Sequence, residues 1–215
     1  MKKNLLTILT TICCLILVVS QNVSAKEIDY KDYIKVTNSD TQEEVDIEIK
    51  EVIKNTRPVQ STLLRFSTSN KYIQEVEIEF NIPELEEISL ASDKDTTTNH
   101  GSFKAYLRFD YETAGTPSKP KIRVSSVQGY WKCTSTSYSA RFENRDVLLK
   151  QGNWLLDKCT LVKKPKEDRF YSDTYWNYVD DLPKTSYSGV YAESTAKAVI
   201  SGMSGGYTLE AKISK

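Results

Sequence analysis

The chain reads as an all-β protein, an antiparallel β-sandwich, and three observations predict it. Apolar and polar side chains alternate with a period of two over most of the sequence, which puts successive residues on opposite faces of a strand. Turn-forming residues cut these runs into about eight to ten short strands, with no repeated alternation of strand and helix. Thirteen tyrosines and abundant Ser and Thr suit sheets that pack one face and wet the other.

The clearest strand sets Phe103, Ala105, Leu107, Phe109 and Tyr111 against Lys104, Tyr106, Arg108 and Asp110. Val76, Ile78 and Phe80 alternate with glutamates, and similar patterns carry Ile122 and Val124, then Val127, Gly129, Trp131 and Cys133. Tyr138, Ala140 and Phe142, then Val147 and Leu149, predict further strands, as does the run 155–162. Near the end, the stretch from Val190 to Ile200 and that from Tyr207 to Ile213 flank Ser201-Gly202-Met203-Ser204-Gly205-Gly206. Those glycines supply the positive φ of a hairpin loop, so the two strands should pair antiparallel.

One segment reads two ways. Thr41-Gln42-Glu43-Glu44 has the form of a helix capping box, and Val45, Ile49, Val52 and Ile53 would share a helical face. Val45, Ile47 and Ile49 also alternate, and the strand reading is preferred, with a short helix as the alternative. The polar stretch 89–102 is either a domain boundary or a long loop inside one domain. A single sandwich over 26–215 is expected, because 26–88 alone would make a marginal domain.

The first 25 residues have the layout of an export leader: Lys2 and Lys3, an apolar stretch over 5–19, and small residues at Val23-Ser24-Ala25. About 15 apolar residues fall short of the roughly 20 that span a bilayer, so a retained anchor is not expected. Cys13 and Cys14 lack a fitting lipidation context and leave with the leader. The chain ends at Ile213-Ser214-Lys215 without an apolar tail, which argues against a wall-sorting signal. Removing Lys2 and Lys3 takes 29 basic residues to 27 against 29 acidic ones, a net charge of −2. Such balance gives no electrostatic reason to expect nucleic acid or an anionic membrane as partner. Cys133 and Cys159 then remain in an oxidising compartment, where a disulfide is expected and two free buried thiols are the alternative. A bridge closing a loop of about 27 residues would stabilise by about 3–4 kcal/mol.

No catalytic, metal or cofactor motif stands out. His100, the single histidine, sits in Asn99-His100-Gly101 and reads as a solvated turn residue rather than a base for a serine or cysteine nucleophile. Asp93-Lys94-Asp95 and Asp180-Asp181 lack the glycine and distal glutamate of a calcium loop. Lys163-Lys164-Pro165-Lys166 is short and followed by Glu167 and Asp168, too little for a basic binding patch. The densest unusual stretch is 170–178, in which Tyr171, Tyr175, Trp176 and Tyr178 are candidate ligand contacts. Flat aromatic rings among hydrogen-bonding side chains suit a sugar or a protein surface. As a strand it would place Tyr171, Asp173, Tyr175 and Asn177 on one face and Phe170, Trp176 and Tyr178 on the other; aromatics closing a sandwich edge are the competing reading.

The cysteine and tryptophan spacing excludes a true immunoglobulin domain: Trp131 precedes Cys133 and Trp154 falls between two closely spaced cysteines. The architecture expected is immunoglobulin-like only in having two packed sheets. The run from Val124 to Trp131, Phe142-Glu143-Asn144-Arg145-Asp146-Val147 and Gln151-Gly152 resembles small uncharacterised secreted β-rich proteins of Gram-positive bacteria, over about 100 residues. The resemblance implies only an extracellular sandwich, since it offers no activity to carry over. The function expected is a secreted, non-enzymatic binding module for an extracellular protein or glycan, without cofactor, nucleic acid or stable membrane anchor. A carboxylate-dependent glycan hydrolase and a secreted toxin or bacteriocin-like factor are the alternatives.

Overall fold

The computed structural model describes residues 33–59, 69–85 and 102–215. The leader with Cys13 and Cys14, Asp93-Lys94-Asp95, His100 and nearly all of 89–102 lie outside the described residues. Eleven strands occur among those described: β1 (Ile34–Asn38), β2 (Glu48–Pro58), β3 (Asn70–Asn81), β4 (Ser102–Thr116), β5 (Lys119–Cys133), β6 (Ala140–Lys150), β7 (Thr160–Lys163), β8 (Arg169–Asp173), β9 (Val179–Asp180), β10 (Tyr191–Ile200) and β11 (Tyr207–Ser214). They form two antiparallel sheets, sheet A in the order β1-β11-β10-β6-β7 and sheet B in the order β2-β3-β4-β5-β8, with β9 on β5. The N-terminal strands enter both sheets, β1 beside β11 and β2–β3 beside β4.

The inward residues of both sheets form one core. Phe80 stacks on Phe103, and Phe103 meets Phe142 of the opposite sheet edge-on at 6.3 Å. Trp131 of β5 donates its indole N–H across the core to Ser194 Oγ of β10 at 3.1 Å, which satisfies two buried polar groups at once. The terminal hairpin forms as expected, with Ala192, Ala196, Ala198, Leu209, Ala211 and Ile213 all buried. Its outward positions carry Glu193, Thr195, Lys197, Thr208, Glu210 and Lys212, a wet face.

Three β-bulges shift the phase of the alternation. In β5 the pairing jumps from Asp110↔Ser126 to Tyr111↔Val124, leaving Ser125 as the extra residue. Ile122 and Val124 can therefore face the core together with Val127, Gly129 and Trp131. In β6, Asn144 adopts φ 48°, and the register against β10 slips there, so Phe142 and Val147 are buried on the same side. In β2 the slip falls at Lys50, between Ile49 and Glu51. The resulting three-residue step from Ile49 to Val52 mimics helical spacing, which is why this segment read two ways; it is a strand. The supposed capping box is a turn instead, in which Asn38 Oδ1 accepts the N–H groups of Asp40 and Thr41 at 2.9 and 3.2 Å. Thr37 and Glu44 then bridge antiparallel. The only helix among the described residues is one turn at 83–85.

Two further expectations are corrected. The run 155–162 is not one strand: Leu155 and Leu156 sit in a turn, 70 % and 76 % exposed, and pairing begins at Thr160. Cys133 and Cys159 are free thiols rather than a disulfide. Cys133 ends β5 opposite Phe103. Cys159 accepts a backbone bond from Gln151, whose side chain reaches Val124 near the middle of β5. Roughly 30 Å of strand, at about 3.3 Å per residue, lies between Val124 and Cys133, whereas a bridge needs Cα atoms within about 7 Å. Proximity in sequence fails because β6 carries the chain back along the sandwich between the two cysteines.

Gln151, fully buried at the end of β6, receives the Val124 N–H on Oε1 at 2.6 Å and donates Nε2 to the Asn177 carbonyl at 3.0 Å. Gln151→Leu leaves both backbone groups without partners and is expected to lower unfolding free energy by about 3 kcal/mol in urea titrations. Denatured without reductant, residues 26–215 should react with Ellman's reagent at both cysteines, and prior reduction should add nothing.

Candidate binding surface

The chain leaves sheet A at Lys163 and crosses to sheet B through residues 164–168. Pro165 has no N–H to continue the β7 ladder. The crossing is held by Arg145, whose guanidinium binds Asp168, and by the Trp131 N–H, which donates to the Asp168 carbonyl at 3.1 Å. β8 then pairs with β5, placing Gly129 opposite Phe170. A Cβ at Gly129 would lie 2.7 Å from the Phe170 ring and 2.5 Å from the Tyr106 carbonyl, so glycine is what lets Phe170 pack inward. The next side chain, Tyr171, consequently points out.

Between this crossing and β8 lies a groove of about 290 Å³ with Tyr171 in its wall. Lys163, Lys164, Lys166 and Arg169 line it, with Glu167 the one carboxylate among the described lining residues and Asp146 3.8 Å from Lys164. The basic run judged too short in sequence thus becomes a cationic concavity, because the fold adds Arg169 and occupies Asp168 with Arg145.

The four aromatic candidates divide into pairs. Tyr171 is 61 % exposed, its hydroxyl bonded to Asp173 Oδ1 at 2.7 Å, and Tyr175 is 91 % exposed. Trp176 is partly buried against the core. Tyr178 is partly buried too, donating to Glu112 Oε2 at 2.7 Å with the Arg123 guanidinium 4.9 Å from its ring centre. The alternation read from sequence holds over 170–178, with Tyr171, Asp173, Tyr175 and Asn177 exposed and the residues between them half-buried.

Tyr175 is a backbone outlier, at φ 56°. Its neighbours are pinned: Thr174 donates its N–H to the Ser125 carbonyl at 3.0 Å and its hydroxyl to the Val124 carbonyl at 2.5 Å, while Trp176 packs inward. A non-glycine residue held left-handed costs about 1–3 kcal/mol. Packing does not offset that cost here, since almost the whole ring is in solvent.

Sequence reading did not single out a ladder on the open face of sheet B. Tyr106 stacks on Tyr130 at 5.3 Å, and the Arg169 guanidinium lies 5.5 Å from the far ring. Their hydroxyls donate to Glu75 and Glu77 at 2.9 Å each. Burial first, and then these carboxylates, push both phenols up to about 12. Tyr106 stood in the outward phase of its strand, but register alone sets it beside Tyr130. Asp181, one of the acids weighed for calcium, is paired with Lys215 at 2.6 Å. Among the described residues no three His, Cys, Asp or Glu side chains converge as a metal site.

Glu112 anchors the Tyr178 end. Burial pushes its pKa up, but hydrogen bonds from Tyr178, Lys71 and Arg123 outweigh this and hold it below the ordinary 4.5. A carboxyl lowered in the folded state stabilises fully above its unfolded pKa, and that stability is lost as pH falls through the folded value. Glu112→Gln should therefore cost about 1–2 kcal/mol near neutrality, and in thermal melts from about pH 7 to 3 the gap to the parent should close on acidification. In comparisons with known proteins, no family model, curated protein or solved structure matches this chain.

Proposed function

We propose that the chain is a secreted, non-enzymatic binding module whose ligand lies along the β8 edge, against Tyr171, Tyr175 and the cationic groove between them and β7. The observation that carries this reading is Tyr175: a large ring kept in a costly left-handed conformation between two anchored neighbours, with no internal contact to justify it. The four cations of the groove select an acidic extracellular polymer, glycan or protein. Export rests on the leader-like residues 1–25.

Hydrolysis by paired carboxylates finds less support, since such pairs stand roughly 5–10 Å apart in a cleft and among the described residues Glu167 is the one acid lining this groove. A hairpin inserted into membrane would need an apolar outward face, and the β10–β11 hairpin presents charges there.

The test is binding of residues 26–215 to immobilised polygalacturonate and polyglutamate by biolayer interferometry. Response to at least one, weakened by salt, is expected. Tyr175→Gly should keep or raise the melting temperature, since glycine relieves the strain, while weakening binding by about tenfold or more; Tyr171→Ala should act likewise. No response on either surface, or unchanged binding in both variants, overturns the reading.

A further inference from the structure

Two reverse turns meet at one end of sheet A. In the first, Asn153 Oδ1 accepts the N–H groups of Leu155 and Leu156 at 3.0 and 3.3 Å, and the Asp157 N–H returns to the Asn153 carbonyl at 2.7 Å. In the second, the Thr185 N–H donates to the Ser188 carbonyl at 3.0 Å and the Ser188 hydroxyl to that of Pro183 at 2.9 Å. Three bonds clasp the turns together: the Trp154 N–H to Tyr187 O at 2.9 Å, the Gly189 N–H to Gly152 O at 3.0 Å, and the Trp154 indole N–H to Gly189 O at 3.2 Å. Both tips carry apolar side chains outward, Leu155, Leu156 and Tyr187 at 70 %, 76 % and 65 % exposed. Polar bonds hold these turns, so the leucines are not needed to close them.

Cations lie directly behind the tips. Lys150 and Lys184 each sit 4.8 Å from the Trp154 ring centre, and Lys184 is also 4.9 Å from that of Tyr191. Lys184 and Tyr191 in turn line a cavity of about 470 Å³ with Lys54, Lys212 and Tyr33, and none of the described residues that line it is a carboxylate. Lys212 is paired with Glu210 at 3.0 Å and the Tyr191 hydroxyl with Glu193, whereas Lys54 and Lys184 make no ion pair among the described residues. Burial, and after it the charge of Lys150, hold Lys184 below the ordinary lysine range.

We infer that this end of sheet A docks reversibly on an anionic phospholipid surface, with headgroup phosphate entering the Lys54–Lys184–Lys212 cavity and Leu155, Leu156 and Tyr187 entering the interfacial layer. Charge complementarity and the pairing of features select this occupant. A free anion would engage the lysines and leave the leucines idle, and an apolar protein face would cover the leucines and leave the cations unmatched. A bilayer surface offers phosphate and hydrocarbon within one layer, with Trp and Tyr suited to the boundary. This docking surface shares no residue with the β8 groove, so either can fail without the other.

Co-sedimentation of residues 26–215 with vesicles of phosphatidylcholine alone and of phosphatidylcholine with phosphatidylglycerol tests it. Binding is expected to the phosphatidylglycerol vesicles only, and to weaken with salt. Leu155→Ser with Leu156→Ser, and separately Lys54→Gln with Lys184→Gln, should each weaken it about tenfold or more, with melting temperatures near the parent's because the leucines are solvent-exposed. A thermal shift with millimolar inorganic phosphate but no vesicle binding identifies a free-anion site and overturns lipid docking. So do equal binding to both vesicle types, no binding to either, or full binding by the serine variant.

Discussion

At Ser125 the strand β5 carries one residue more than β4 opposite it, and most of what is distinctive in the molecule follows from how the backbone groups around that bulge are satisfied. The Val124 N–H goes to the buried Gln151 at the end of β6, which ties sheet B to sheet A. The Val124 and Ser125 carbonyls go to Thr174, which fixes the segment carrying Tyr175. Gln151 closes the circuit through the Asn177 carbonyl. Buried polar groups without partners would cost more than any of these bonds contributes, so the bulge, the sheet-to-sheet contact and the exposed aromatic segment are coupled.

The open face of sheet B shows how a tyrosine-rich, charge-rich chain makes an ordered wet surface. Phenol rings stack on each other and on guanidinium groups across strands, while glutamates take their hydroxyls. Lys104, placed between Glu77 and Glu79 at 3.2 Å from each, has its pKa raised by those two hydrogen bonds. Each pair contributes little alone, yet in a row they hold the side chains in defined positions. At the end of sheet A the described lysines Lys54, Lys150 and Lys184 make no such ion pairs with described residues, and the proposed lipid docking rests on that contrast.

Both proposed surfaces arise where the sandwich has ends. β7 and β8 are edge strands of opposite sheets joined by the crossing 164–168, and the groove is the gap that crossing spans. The clasped turns close the end of sheet A and must satisfy their own backbone, which they do with Asn153, Thr185 and Ser188. Side chains at such ends are free of packing duties, so exposed Tyr175, Leu155 and Leu156 ask for a functional account that core residues do not.

The alternation of side chains alone determined the class of fold, most of the strands and the inward set of each, because the pleat places residues by parity and that is a local property. It also divided the residues 170–178 into two alternating sets, without telling which set faces out. Parity breaks at 49–52, 124–127 and 142–147 were the signatures of bulges, but a break by itself does not distinguish a bulge from a helix or a chain end. Only the tertiary structure decided the rest: that Cys133 and Cys159 lie far apart, that Trp176 and Tyr178 are packed while Tyr171 and Tyr175 are not, and that scattered lysines converge. These outcomes depend on register and on which strands become neighbours, and register is set by contacts between residues distant in the chain, about which local periodicity carries no information.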